Sequence, residues 1–257
     1  MTLKEKYIGF ETILIKEILR FARIWLQTIV PPVITMSLYF IIFGNLIGSQ
    51  IGDMDGFRYM DYIVPGLIMM AVINNSYANV VSSFYGCKFH HHIEEMLVSP
   101  LPNSLIIAGF VTGGVARGLA VGLAVTLVSM LFTDLSWHNL AVVISTVVLT
   151  STVFALAGLI NGIFAKSFDD ISIIPTFVLT PLTYLGGVFY TISMLPEFWQ
   201  NVSKLNPILY MVNTFRYGFL GISDISLTVS YTIISIFIVA LFSLALYLMN
   251  TGYGIRR

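Results

Sequence analysis

Charged side chains are scarce in this chain of 257 residues: aspartate, glutamate, lysine and arginine make up only 10% of it. An ordinary soluble domain carries about a quarter. The 13 basic and 13 acidic residues cancel, so no charge excess points to nucleic acid. Cys87 is the only cysteine, which excludes an intrachain disulfide and a cysteine-built zinc site. Glycine is never followed by lysine, so the chain lacks the GxxxxGK[ST] loop that cradles nucleotide phosphates. HExxH and GxSxG are missing as well, which leaves zinc-protease and serine-hydrolase chemistry without their minimum parts. No long apolar run holds a carboxylate well inside it, which weighs against proton- or sodium-coupled carriage. The two halves show no inverted repeat.

Oil fills the space that charge leaves. Hydrophobic residues make up 57% of the chain and the mean hydropathy is +0.88, values of the membrane class. A helix needs about 20 apolar residues to cross a bilayer. Six segments qualify, roughly 25–47, 60–84, 104–132, 140–165, 171–190 and 227–249. Continuous runs, not two-residue alternation, predict a helical bundle and not a barrel. The fold class is therefore an all-α membrane protein, one domain over residues 1–257, and an even span count puts both termini on one side.

Lysine and arginine give the orientation. Lys4, Lys6, Lys16, Arg20, Arg23, Lys88, Lys166, Arg256 and Arg257 flank one side, and only Arg58, Lys204 and Arg216 the other. Both termini, the 85–103 loop and the 166–170 loop are predicted cytoplasmic. Charges scattered through the first 24 residues leave no uninterrupted apolar core, so this is not a cleavable signal. Residues 4–24 instead alternate an apolar face with a cationic stripe of Lys16, Arg20 and Arg23. That pattern predicts a helix in the membrane interface near anionic lipid, or one packed on protein.

Several spans carry more than oil. Asn75, Asn79 and Ser82 recur at helical spacing on one face of the second, as helix glue or as pathway lining. In the third span Gly114, Gly118 and Gly122 form a ladder of small residues, with Gly109 and Gly113 on an adjacent row. Such ladders let backbones approach closely, within the chain or at a dimer seam. Arg117 is the one charge deep in a predicted span, and it needs a partner or water. Between the last two spans, residues 191–226 hold two short runs after Pro196 and Pro207, too short to cross and suited to re-entrant or interfacial helices. Their aromatics, among them Phe198, Trp199 and Tyr210, fit the lipid–water boundary.

The most polar stretch is KFHHHIEEMLVSPLP, 88–102. Adjacent histidines point about 100° apart on a helix, so His90, His91 and His92 cannot converge on one metal, and no metal site is expected. Ile93, Met96 and Leu97 make an apolar strip beside Glu94 and Glu95, and Pro100 ends the helix. The segment looks built to dock on another surface.

With the runs PLTYLGGVFYTISMLPEFWQNVSKLNPILYMVNTFRYGFLG (181–221), IEEMLVSPLPNSLIIAG (93–109) and NGIFAKSFDDIS (161–172), the chain resembles the integral-membrane subunit of ABC-2-type exporters over nearly its whole length. No single motif is diagnostic, but their order and spacing are. The resemblance implies a bacterial inner-membrane permease that forms the pathway as a homodimer. Separate ATPase subunits would drive it and would hold the ATP and magnesium, with no cofactor bound by this chain. It further implies a coupling helix at about 88–99, carrying His91, Ile93, Glu94, Glu95, Met96 and Leu97. A second ATPase contact is implied at Lys166, Asp169 and Asp170, and an ATPase-touching interface helix at the N-terminus. The external helices would close an outer gate, with Phe198, Trp199, Asn206, Pro207, Tyr210 and Arg216 as its candidates. The substrate is not implied. The alternatives are an ion-gradient-driven carrier or channel, and a membrane enzyme using the histidines.

Overall fold

The computed structural model describes residues 1–254; Arg256 and Arg257, counted for orientation, lie outside the described residues. Helix α1 (Leu3–Arg23) begins with a reciprocal cap, in which the Glu5 amide donates to Thr2 Oγ1 and the Thr2 amide to the Glu5 carboxylate. Two orphan donors of the first turn are thereby satisfied. Helix α2 (Trp25–Tyr39) continues through a π-helical stretch, Phe40–Ile47, into α3 (Gly48–Ile51). A two-stranded hairpin of β1 (Asp53–Met54) and β2 (Phe57–Arg58) leads into α4 (Tyr59–Phe89). Then follow α5 (His92–Val98), α6 (Asn103–Ser129) and α7 (Leu140–Phe164).

Helix α4 is the axis of the bundle. Nearly every side chain from Tyr59 to Tyr85 is buried, between α6 and α7 along its length and α11 (Pro207–Leu220) near its start. Lipid is as apolar as leucine, so helix association in a membrane relies on close packing more than on hydrophobic transfer. The glycines supply that closeness. Gly114 and Gly118 of α6 leave room for Val80 and Ser76 of α4 and for Ala155 and Ser151 of α7, while Gly122 faces Val72. Gly109 and Gly113, one row over, face Ile13 and Glu17 of α1. The ladder is thus filled within one chain.

Among the described residues, five helices are long and apolar enough to cross a membrane: Trp25–Ile51, Tyr59–Phe89, Asn103–Ser129, Leu140–Phe164 and α12, Leu227–Thr251. They cover five of the six predicted spans. The sixth, 171–190, is helical only from α8 (Asp170–Ile174) through a π-helical turn (Pro175–Leu179) to α9 (Thr180–Tyr184). That run is about 22 Å long, against a hydrocarbon core of about 30 Å. Pro175 and Pro181 bring no amide to the helix, and Gly187 turns the chain at φ 72°, a conformation that glycine adopts without steric cost. Even so, the segment links the two ends of the bundle. Phe168 packs against Tyr85 near one end of α4, while the Phe189 carbonyl accepts from Tyr59 at the other. Two short helices follow where residues 191–226 led us to expect them, α10 (Glu197–Lys204) and α11.

Candidate functional site

Three groups of the expected residues separate along the bundle. At the α5 end, α4 runs on to Phe89, and His91 takes a left-handed conformation (φ 62°) that reverses the chain into α5. The short helix therefore occupies 92–98, not 88–99. Lys88 belongs to α4, where its Nζ donates to the Ile163 and Ala165 carbonyls at 2.5 and 2.8 Å and holds the end of α7. The apolar strip of α5 is not free to dock elsewhere. Ile93 is buried in a core with Ile13, Phe84, Ile106 and Phe110, and Met96 and Leu97 pack against that core. A helix this short is held by tertiary burial and not by propensity, so its apolar side is spent on its own chain. What faces outward is polar: His90, His91, His92, Glu94 and Glu95, with Val98. His91 Nδ1 and Glu94 Oε1 lie 3.0 Å apart, an exposed pair of small energetic value.

The 166–170 loop joins the same surface. The Phe168 ring lies 5.2 Å from that of Phe89 and meets Tyr85 edge-on at 4.9 Å, centroid to centroid. Asp170 Oδ2 accepts from the Lys166 and Ser167 amides at 2.8 and 3.0 Å, and Ser167 Oγ accepts from the Asp170 amide. Those backbone amides hold the Asp170 carboxyl below the usual carboxylate range. Lys166 and Asp169 are exposed.

A second group lies where α1 meets α4 and α6. Instead of presenting its cations to lipid, α1 packs along α6, reaches α4 through side chains and turns Lys16 and Arg20 inward; Arg23 alone of the stripe is exposed. The reason is Glu17, which has no accessible surface. Its Oε1 accepts from Ser83 Oγ at 2.6 Å and pairs with Lys16 Nζ at 3.1 Å, and its Oε2 lies 3.3 Å from Arg20 Nη2. Lys16 also reaches Cys87 Sγ and the face of Phe110. Arg20 Nη2 donates to the Asn79 carbonyl and Oδ1 at 2.8 and 2.7 Å. One turn along α4, Asn75 Oδ1 accepts from Arg117 Nη2 at 3.1 Å. Arg117 Nε and Asn79 Nδ2 are buried with no partner among the described residues. Ser82 bonds back to its own helix. Sequence reading missed Glu17, although an acid set three residues before Arg20 inside a cationic stripe was its signal.

At the opposite end, side chains satisfy the backbone that the broken 170–189 segment leaves open. Asn206 caps α11, its Oδ1 accepting from the Ile208 amide at 3.0 Å, while its Nδ2 donates to the Leu182 carbonyl at 2.6 Å. Arg216 is buried and donates to the Gly187 and Tyr62 carbonyls at 2.6 and 3.3 Å, its guanidinium 3.9 Å above the Tyr62 ring. Beside it a cavity of about 170 Å³ is lined by Asp55, Tyr62, Asn213 and Asp224. Burial raises the Asp224 carboxyl above its usual range, although Arg216 pulls the other way. Pro207 opens α11 and Tyr210 donates to the Lys204 carbonyl at 2.7 Å. Phe198 and Trp199 stand exposed on α10, edge to face.

Comparison with known proteins agrees with this architecture. Residues 9–220 match the family model described as ABC-2 type transporter. Inner membrane transport permease YadH of Escherichia coli (strain K12) is 60% identical over 250 residues, 97% of this chain and 98% of that protein. Nodulation protein J of Sinorhizobium fredii (strain NBRC 101917 / NGR234) is 25% identical over 70% of this chain and 68% of its own. The protein of that name from Rhizobium leguminosarum bv. viciae is 22% identical over 81% and 82%. With most of its length matched by the family model and a near-full-length relative well above 30% identity, the chain belongs to the ABC-2 type transporter family.

Proposed function

We propose that this chain is the membrane-spanning permease subunit of an ATP-binding-cassette exporter of the bacterial inner membrane, working as a homodimer. Separate ATPase subunits, which carry the ATP and magnesium, drive it. The observation that supports this reading most is the pairing of family membership with a sequence in which glycine never precedes lysine: a transporter of this family without a phosphate loop needs an engine in another chain.

In this reading the α5 end is cytoplasmic, because Lys4, Lys6, Lys88 and Lys166 gather there while the opposite end holds Arg58 and Lys204. The short 170–184 helix and its irregular tail make the sixth crossing, so both termini are cytoplasmic. The ATPase docks on the outward face of α5 through Glu94 and Glu95, together with Phe89, Phe168, Lys166 and Asp169 of the adjoining loop. Ile93, Met96 and Leu97 support that face from beneath. Helices α10 and α11 form the outer gate, opening when the crossing they hold is displaced.

The test is reconstitution with the cell's own ABC ATPase subunits. A stable complex whose vanadate-sensitive ATP hydrolysis drives transport supports the reading. Failure of every such subunit to form a complex, or transport by this chain alone under an ion gradient, overturns it.

A further inference from the structure

We propose that the junction of α1, α4 and α6 is an anion site that takes the phosphate head of an amphiphile in the membrane. The proposal rests on the reading of this chain as a membrane permease, and adds a ligand class to it. Three cations meet there, Lys16, Arg20 and Arg117, and only one carboxylate, Glu17, which is already engaged by Lys16 and Arg20. Arg117 lies near the middle of Asn103–Ser129 and meets α4 at Asn75, one turn from the Asn79 that Arg20 holds. Among the described residues it has a single hydrogen bond, to Asn75, and its buried Nε has no partner, nor has Nδ2 of the fully buried Asn79 one turn away. A cation at that depth costs several kcal/mol unless an anion or water meets it.

A second copy of the chain cannot supply the missing charge at that depth. No aspartate or glutamate occurs in 25–51, 62–89, 103–129, 140–164, 171–190 or 227–251, and Glu17, the acid of α1 at this level, is already paired in each copy, so a further anion comes from outside the protein. The chemistry favours phosphate. A guanidinium fork pairs two-pronged with phosphate oxygens. A tetrahedral head leaves further acceptors for the Asn79 amide and the second cation, whereas a planar carboxylate offers two oxygens. The site is reachable from its flank: the Arg20 and Lys16 side chains are 28% and 39% exposed and Arg117 is half-buried. An apolar tail suits the surroundings, since Ala120, Ala124 and Val128 continue from Arg117 along the same face of α6 and are partly exposed.

The experiment is native mass spectrometry of the full chain released from neutral detergent. The probes are phosphatidylglycerol, phosphatidylcholine, dodecyl phosphate or inorganic phosphate, each added separately. Wild type is expected to retain one or both anionic phosphate amphiphiles over phosphatidylcholine, and Arg117→Gln to lower that retention roughly tenfold, the worth of a charged hydrogen bond. Retention of phosphatidylglycerol identifies a membrane lipid as the source; retention of dodecyl phosphate alone identifies a single-chain phosphorylated cargo. Equal retention by wild type and Arg117→Gln overturns the proposal, and so does inorganic phosphate bound as tightly as dodecyl phosphate. Should Arg117→Gln not fold, Arg20→Gln is scored by the same ratio, and an unchanged ratio overturns the proposal equally. No ATPase takes part, so failure here and failure of the exporter reading are told apart.

Discussion

Two arginines withdrawn from water sit against α4, one near its start and one at its middle, and their surroundings differ. Arg216 is committed, with two backbone carbonyls accepting from it and the Tyr62 ring covering its face. Arg117 is half committed, with one carboxamide partner and a buried Nε facing none among the described residues. A buried polar group that is fully satisfied specifies one structure; one left partly satisfied is expensive. The difference separates an arginine that repairs backbone from one held ready for something else.

That contrast can be broken by measurement. Arg216→Ala is expected to cost the most, about 4 kcal/mol of stability. It removes two charge-assisted hydrogen bonds and a cation–π contact and strands the Gly187 carbonyl; thermal unfolding in detergent reads it, and an unchanged midpoint would show that Arg216 is not holding the broken segment. Gly118→Leu follows at about 3 kcal/mol, because its side chain enters the space of Ser76 and Ser151, which no flexible tip vacates. Unchanged stability would mean that α6 stands further from α4 and α7 than described. Glu17→Ala should cost about 2 kcal/mol, less than a fully enclosed pair because Lys16 and Arg20 are partly exposed. Its readout is detachment of α1, seen as faster proteolysis of residues 1–23; a protected α1 would show the glycine row suffices.

Arg117→Gln is expected to move stability by less than about 1 kcal/mol, since the wild-type charge is poorly compensated. A loss as large as that of Arg216→Ala would erase the distinction between the two arginines. Smallest of all is Glu94→Lys. At an exposed site away from any core it should leave unfolding within about 0.5 kcal/mol of wild type, yet uncouple ATP hydrolysis from transport in the reconstituted complex. Wild-type coupling would remove α5 from the docking surface.

Sequence showed the long helices well, because about 20 apolar residues in a row have few other fates. It also showed the two short helices after Pro196 and Pro207, since proline sets where a helix begins. The break in the 170–190 segment was hidden because hydrophobicity continues through Leu185, Val188 and Phe189 after the helix has stopped; apolar content reports what tolerates burial, not whether backbone bonds continue. Its markers, Pro175, Pro181 and the Gly186–Gly187 pair, were in view. Arg216 and Asn206 were singled out as gate residues, and their duty to distant carbonyls could not be read locally. Glu17 was missed for the same reason: its burial depends on Gly113, far along the chain. The strip on α5 was legible as apolar but not as to which surface would cover it.

The repaired backbone at Leu182 and Gly187 bears on cooperativity. Regular helices open residue by residue from their ends, and their amides exchange with solvent accordingly. The tail after Tyr184 has no such ladder. It is anchored by Tyr59 of α4 and Arg216 of α11, while Asn206, the cap of α11, holds the Leu182 carbonyl just before it. Its amides should therefore exchange at the rate of α11 and not at that of the 170–184 helix next to it in sequence. The boundary between two cooperative units then falls inside the 170–190 segment, near Leu182–Tyr184, and one half of that segment can shift while the other stays with the cap.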